Sequence, residues 1–244
     1  DTLRISKYKR STIVFGNTNY KNKFRLKYKN IDIPKKIFQS QNRRYVKEFI
    51  KIESKRNSNL IELHNRPIYL NYLFNKLPNR KYILYFHNDP LTMIGSKSIK
   101  ERIFLLKNSF KIIFNSNWSK KRFLEGMKND FINSDKLIVI HQSANKNKVN
   151  TEKKHRIITF VGKLNKSKGY DLFGNAIIKV LDKYPNWKSI VIGDEPRDKL
   201  DFNHKNLLKL GFKKHKDVLN VYKKTSIAVV SSRWDEPFGR TSLE

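Results

Sequence analysis

The chain of 244 residues contains no cysteine. Disulfide frameworks, thiol nucleophiles and Cys-ligated zinc are therefore excluded, and the composition fits a reducing compartment. No apolar run approaches the roughly 18–20 residues that a membrane-spanning helix needs. The longest candidates, Tyr82 to Phe86 and Ile227 to Val230, have strand length. Neither the phosphate loop GxxxxGK followed by Ser or Thr nor the dinucleotide fingerprint GxGxxG occurs. Acidic residues are scarce: 21 Asp+Glu stand against 53 Lys+Arg, a formal charge of +32.

So basic a chain invites a nucleic-acid reading, because Lys and Arg release condensed counterions from a phosphate backbone. The basic residues are spread over the whole chain, however, Lys dominates Arg, and Asn and Ile are abundant, the pattern that AT-rich codons give. Such charge speaks to association with anionic surroundings and not to fold. No specific nucleic acid is expected. The densest stretch, Lys21 to Arg56, mixes Lys and Arg with Phe24, Tyr28, Tyr45, Phe49 and Ile50. A helix there places Val46, Phe49 and Ile50 on one side and basic residues on the other. That suits either an anionic membrane surface or a surface helix whose apolar stripe packs on its own domain.

With 38% hydrophobic residues over this length, the chain can build proper cores, and two domains are expected. Short β-branched runs alternate with longer segments of helical period, which predicts parallel sheets covered by helices. Strands are expected near Thr12 to Phe15, Leu60 to Leu63, Tyr82 to Phe86, Lys111 to Phe114 and Leu137 to Ile140. Helices are expected over Arg43 to Glu53, Ile68 to Phe74, Ile99 to Leu106 and Ser119 to Met127. The polar, aperiodic segment around residues 145–155 reads as a linker. The alternation then restarts with a strand at Ile157 to Val161, a helix at Tyr170 to Lys183 and a strand at Trp187 to Ile192. The apolar segment Leu207 to Leu210, a helix at Lys216 to Lys223 and a strand at Ile227 to Val230 follow. The expected organisation is thus one α/β domain over 1–144, the linker, and a second α/β domain over 156–244. Residue 1 is Asp rather than Met, and the last helix has no room before Glu244, so truncation at both ends is expected.

Two segments carry most of the chemistry. In SSRWDEPFGRTSLE, a strand end leads into a loop with Asp235, Glu236 and Pro237, and Gly239 opens an expected helix that holds Glu244. Glycine lets a ligand approach the backbone, and the first amides of a helix are unpaired donors. Glu236 and Glu244 are read either as acceptors for hydroxyls at two ends of a ligand or as solvated carboxylates of a capped helix. In FVGKLNKSKGYD, a strand turns at Gly162 and offers Lys163, Lys166 and Lys168 before Gly169 and a helix. Ligands bind outside the carboxyl ends of parallel strands, and lysines there suit phosphate. Upstream, His64 in LHNRP and His87 in YFHNDP stand at two further strand ends. His141, His155, His204 and His215 need no role, and Asn115 to Ser116 reads as a helix cap. Asp198 and Asp201 do not recommend themselves as a metal site.

Taken in order, GKLNKSKGYD, IVIGDE and LKLGFKKHKDVLNVYKKTSIAVVSSRWDEPFGRTSLE resemble the nucleotide-sugar-binding half of the family 4 retaining glycosyltransferases, also called glycosyl transferases group 1. The E-x7-E signature of that family is present as Glu236 and Glu244. The resemblance covers residues 156–244 and, more loosely, 59–142. It implies a GT-B fold, in which two Rossmann-like domains face each other across a cleft, with 1–144 on the acceptor side. It further implies a metal-independent hexosyltransferase with no cofactor beyond its nucleotide-diphosphate sugar. In this likeness Glu236 contacts the transferred sugar and His87 lies near it, so both are the catalytic candidates. Gly162, Lys163, Lys168, Phe238 and Gly239 correspond to the diphosphate site; Lys163 replaces the usual Arg and keeps the charge but loses the bidentate fork. Glu244 corresponds to the ribose ligand, and Gly193, Gly211 and Phe212 to the base site. His64, Asn88 and Asp89 are acceptor-side candidates. The family most often serves lipopolysaccharide or other envelope polysaccharide assembly, with a glycan or lipid-linked acceptor, on the cytoplasmic face of the cell membrane. The competing reading is a basic nucleic-acid- or membrane-binding protein of similar shape without transfer activity.

Overall fold

The computed structural model describes residues 2–18, 26–34, 39–144, 150–198 and 200–244, and these fall into two units, Asp1–Ile140 and His141–Glu244. Part of the basic Lys21 to Arg56 stretch, including Lys21 and Phe24, and residues 145–149 of the expected linker lie outside the described residues.

The first unit opens with α1 (Thr2–Ile5) and a two-stranded parallel sheet of β1 (Val14–Gly16) and β2 (Tyr28–Asn30). Then come α2 (Gln41–Glu53), β3 (Leu60–His64), α3 (Pro67–Lys76), β4 (Lys81–Phe86), α4 (Ile99–Asn108), β5 (Lys111–Phe114), α5 (Asn117–Leu124), α6 (Asn129–Ile132) and β6 (Leu137–Val139). The four strands β3 to β6 form one parallel sheet in sequential order. Right-handed crossovers that always step in one direction place their helices on one face. The core lies on that face: Tyr82, Leu84 and Phe86 of β4 and Ile112 and Phe114 of β5 are buried, with Phe86 stacked on Phe114 at 5.6 Å and Phe123 of α5 against both. Helix starts follow local chemistry. Ser98 and Glu101 form a reciprocal capping box on α4, and Ser116 accepts the Ser119 N–H at the start of α5, so Ser116 is the cap. The buried Arg102 donates to the carbonyls of Phe123 and Glu125, satisfying the carboxyl end of α5.

On α2, Val46 and Phe49 point into the core of the first unit, so the stripe packs on its own domain and is not available to lipid. The basic face of this helix remains outside.

The second unit contains β7 (His155–Val161), α7 (Tyr170–Lys183), β8 (Lys188–Ile192), β9 (Leu207–Lys209), α8 (His215–Tyr222) and β10 (Thr225–Val229), in a parallel sheet of order β10-β7-β8-β9. The chain steps outward from β7 through α7, then returns through α8 to β10 on the other side of β7. The two crossovers cover opposite faces. Phe160, Val191 and Phe173 pack with α7, and Ile192, Val218 and Tyr222 pack with α8. The carboxyl ends of β7 and β10 therefore form a topological switch point, where adjacent loops diverge and open a crevice. Where a helix is expected after Gly239 the structure has a 3-10 turn, Arg240–Leu243, in which the Ser242 N–H donates to Gly239 O at 3.1 Å.

Candidate functional site

The switch point gathers the two segments that the sequence singles out. After β7 the chain turns at Gly162, and the Asn165 side chain accepts the Lys168 N–H at 3.0 Å, closing the 3-10 turn Lys166–Lys168. Gly169 follows in the left-handed region with φ 68°, and a Cβ there would stand 1.8 Å from the Ser231 carbonyl. Only glycine fits so close to another backbone. The loop after β10 is fastened to the same turn: the N–H groups of Arg233 and Trp234 donate to Ser167 O at 3.0 and 3.1 Å, and Ser231 Oγ donates to Gly169 O at 2.9 Å. These bonds bring Lys168 Nζ onto Glu236, whose Oε1 also accepts from Ser232 Oγ at 3.0 Å. Arg233 grips Asp171 at 2.6 Å and holds that carboxyl below its ordinary range.

The neighbouring strand ends complete the rim. Gly162 N–H donates to Ile192 O and Gly193 N–H to Gly211 O, each at 3.0 Å. Gly193 has φ 142°, and a Cβ there would lie 1.8 Å from Gly162 O, so the turns after β7 and β8 touch backbone to backbone. Gly211, with φ 64°, has open space at its Cβ, and the Phe212 side chain beside it is 74% exposed. Glu195 is buried and pairs with Arg197 at 2.6 Å; that guanidinium first, with Lys163 contributing, lowers its pKa to about 2. Lys163 itself is exposed. Glu244 is paired with His215 Nε2 at 2.9 Å and Arg240 Nε at 3.0 Å, and it lines a cavity of about 290 Å³ with Tyr222, Thr225, Ala228 and Thr241. Phe238 lies under the His141 ring at 6.0 Å.

In the first unit, His64 and His87 meet at the carboxyl ends of β3 and β4, His64 Nδ1 standing 3.1 Å from His87 Nε2. Burial first, then His64, lowers the His87 pKa. Asn88 is exposed. Asp89 is buried and its carboxylate is already engaged, accepting the Leu91 N–H at 3.0 Å and pairing with Arg122 at 3.1 Å, which is the chemistry of a turn cap. Asp201 is tied to Lys209 and to Asn203 at 3.1 Å. Among the described residues no cluster of three His, Asp or Glu side chains converges as a metal site.

Glu195, Asn165, Ser232 and the Arg233–Asp171 pair escaped the sequence reading. Glu195 had one available signal, a carboxylate two residues past the glycine that follows β8. The others depend on which strands are neighbours.

Residues 141–244 match the family model described as glycosyl transferases group 1. Over 102 residues the chain is 29% identical to spore coat protein SA of Bacillus subtilis (strain 168), an alignment that spans 36% of this chain and 27% of that protein. Among solved structures, HepE of Anabaena, crystallised with UDP-glucose, superposes with a TM-score of 0.69 at 15% identity, over 98% of this chain and 71% of that one. WaaB, a lipopolysaccharide outer core galactosyltransferase, gives 0.56 at 13% identity, over 89% of this chain and 62% of that one. At such identities the likeness is one of fold, and the fold is that of the GT-B glycosyltransferases. The second unit carries the resemblance to glycosyl transferases group 1 at the level of sequence.

Proposed function

We propose that the chain acts as a family 4 retaining glycosyltransferase, moving a sugar from a nucleotide-diphosphate sugar to an acceptor hydroxyl. The observation that carries this reading is the meeting of Lys168 and Glu236 at the switch point, within the residues that match the family. A diphosphate in that crevice would face Lys163, Lys168 and the backbone of Gly162, Phe238 and Gly239. Glu236, held by Lys168 and Ser232, is oriented to accept from hydroxyls of the transferred sugar. Glu244 is our candidate for the ribose, and Gly193, Gly211 and the exposed Phe212 for the base. From the first unit, His87 is the candidate that meets the reacting sugar, with His64 and Asn88 on the acceptor side. Asp89 is the weakest of that group, because Arg122 already holds it.

Retention by double displacement needs a nucleophile beneath the anomeric carbon. In the scheme proposed, the departing diphosphate instead takes the acceptor proton on the face it leaves, so the new bond forms where the old one breaks. The lysines stabilise charge as it develops on the leaving group, which is where fixed charge lowers a barrier most. No metal or further cofactor enters the scheme. Likeness to WaaB supports a setting in lipopolysaccharide or other envelope polysaccharide assembly. A place on the inner face of the membrane would rest on charge alone, since the apolar side of α2 is buried and no described helix is long and apolar enough to cross a bilayer.

Titration calorimetry with UDP-, GDP- and ADP-sugars at moderate salt tests the proposal. Saturable binding of one nucleotide class, lost in Glu244→Ala and Lys168→Ala, supports it. Binding of none, beside steeply salt-dependent binding of RNA or anionic lipid, would replace it with the polyanion-binding reading.

A further inference from the structure

Lys168 and Glu236 are proposed to serve different parts of one donor, the ammonium its diphosphate and the carboxylate its sugar, yet in the structure they serve each other. Lys168 Nζ donates to Glu236 Oε1, and the two side chains are 34% and 30% exposed, so water screens the pair only in part. The backbones that carry them are fastened on both sides. The Lys168 N–H is held by Asn165 Oδ1 at 3.0 Å, and Gly169, next in the chain, packs against the Ser231 carbonyl. Opposite, the N–H groups of Arg233 and Trp234 donate to Ser167 O. Ser232 Oγ stands 3.3 Å from that same oxygen and 3.0 Å from Glu236 Oε1. Its one hydrogen serves one acceptor at a time, and the ionised carboxylate is the stronger.

A lysine ammonium carries three N–H donors on a flexible stem, so Lys168 can turn toward an anion while its backbone stays in place. Glu236 has less freedom, because Ser232 holds its carboxylate and the loop beneath it is tied to Ser167. An incoming diphosphate therefore meets a fixed negative charge within one ammonium's width of the positive charge that attracts it. Two anions gathered about a single cation repel each other. A hexosyl group on the diphosphate changes that balance. Its hydroxyls are donors and an ionised carboxylate only accepts, so they replace the hydrogen bond that Glu236 gives up when Lys168 turns away.

We infer, building on the proposed function, that Glu236 competes with the diphosphate for Lys168, so that the site favours a nucleotide carrying a hexosyl group over the free nucleotide. Glu236 is then a specificity determinant as well as a sugar contact. Once no sugar hydroxyl occupies it, the carboxylate regains its pull on Lys168, which favours release of the spent nucleotide. Specificity of this kind is a difference of affinities, set here by an unfavourable contact made only with the wrong ligand.

Calorimetry of the intact chain with UDP, GDP and ADP, and with UDP-glucose, GDP-mannose and ADP-glucose, compares the wild type with Glu236→Gln. The amide keeps the side-chain length and an acceptor for Ser232 and removes the charge. For the nucleotide class that binds, Glu236→Gln is expected to tighten the free nucleotide about tenfold and to change the sugar nucleotide by less than about threefold, the order that one unit charge within hydrogen-bond reach gives at a partly screened site. Asp235→Asn removes the same charge from an exposed neighbour and is expected to leave both affinities within about twofold. A free nucleotide that binds Glu236→Gln no more tightly, an equal gain for the sugar nucleotide, or the same gain in Asp235→Asn would overturn the inference, while nucleotide binding by the wild type would leave the proposed function standing. Binding of no nucleotide by either the wild type or Glu236→Gln would overturn the proposed function itself, and this inference with it.

Discussion

Replacing Gly169 by alanine adds one methyl group at the point where the loops after β7 and β10 are fastened together. The cost has two parts. An L-residue held in the left-handed region costs about 1–2 kcal/mol. The new Cβ would also stand 1.8 Å from the Ser231 carbonyl, a backbone atom with no rotamer in which to escape. Relief requires the β10 loop to withdraw, which breaks the Ser231 Oγ bond to Gly169 O and loosens the amide bonds of Arg233 and Trp234 to Ser167 O. At about 1 kcal/mol for each bond lost, two losses bring the total to about 3–4 kcal/mol. Gly211→Ala supplies the control: its φ of 64° is similar, but a Cβ there meets nothing within 4 Å. That variant is expected to lose only the conformational part, about 1–2 kcal/mol. Urea denaturation followed by circular dichroism gives both values, and hydrogen exchange in α7 locates the loss. A Gly169→Ala chain no less stable than Gly211→Ala would refute the reasoning, because the close approach that builds the crevice would then be absent.

Phe86→Ala removes a fully buried ring stacked on Phe114 and is expected to cost about 3–5 kcal/mol in the same urea assay. The lowered pKa of Glu195, about 2, makes it a source of acid sensitivity. A depressed carboxylate stabilises above its ordinary pKa and loses that contribution as pH falls toward 2, so Glu195→Gln is expected to flatten the stability profile between about pH 4.5 and 2. Phe212→Ala should change stability by less than about 0.5 kcal/mol, since the ring is exposed. If the ring stacks on a base, the same change weakens nucleotide binding measured by calorimetry.

Period and composition made the long elements legible. α7 begins and ends where the sequence predicts, and β4, Lys81–Phe86, falls on the strand expected at Tyr82 to Phe86. The misses are short or depend on partners. β2 is three residues, Tyr28–Asn30, with no apolar alternation, and it exists only as the parallel neighbour of β1. α5 spans Asn117–Leu124 rather than Ser119 to Met127, because Ser116 caps it early and Gly126 turns at φ 74° beyond its end. At the candidate site, residue types were readable but pairings were not. Lys168 and Glu236 meet only because β10 returns to the side of β7, and His64 reaches His87 only through the register of β3 with β4. Asp89 shows the converse: a carboxylate after a strand looks like a ligand in sequence, while Arg122, 33 residues away, already holds it.

We propose that the crevice at the β7–β10 switch point holds a nucleotide diphosphate. Backbone amide shift mapping of the chain with UDP, GDP and ADP in turn tests it most directly. Saturable shifts are expected for one of them, concentrated at Gly162 to Gly169 and Ser231 to Gly239. Shifts confined to the basic face of α2, or scattered over surface lysines and abolished by moderate salt, would contradict it.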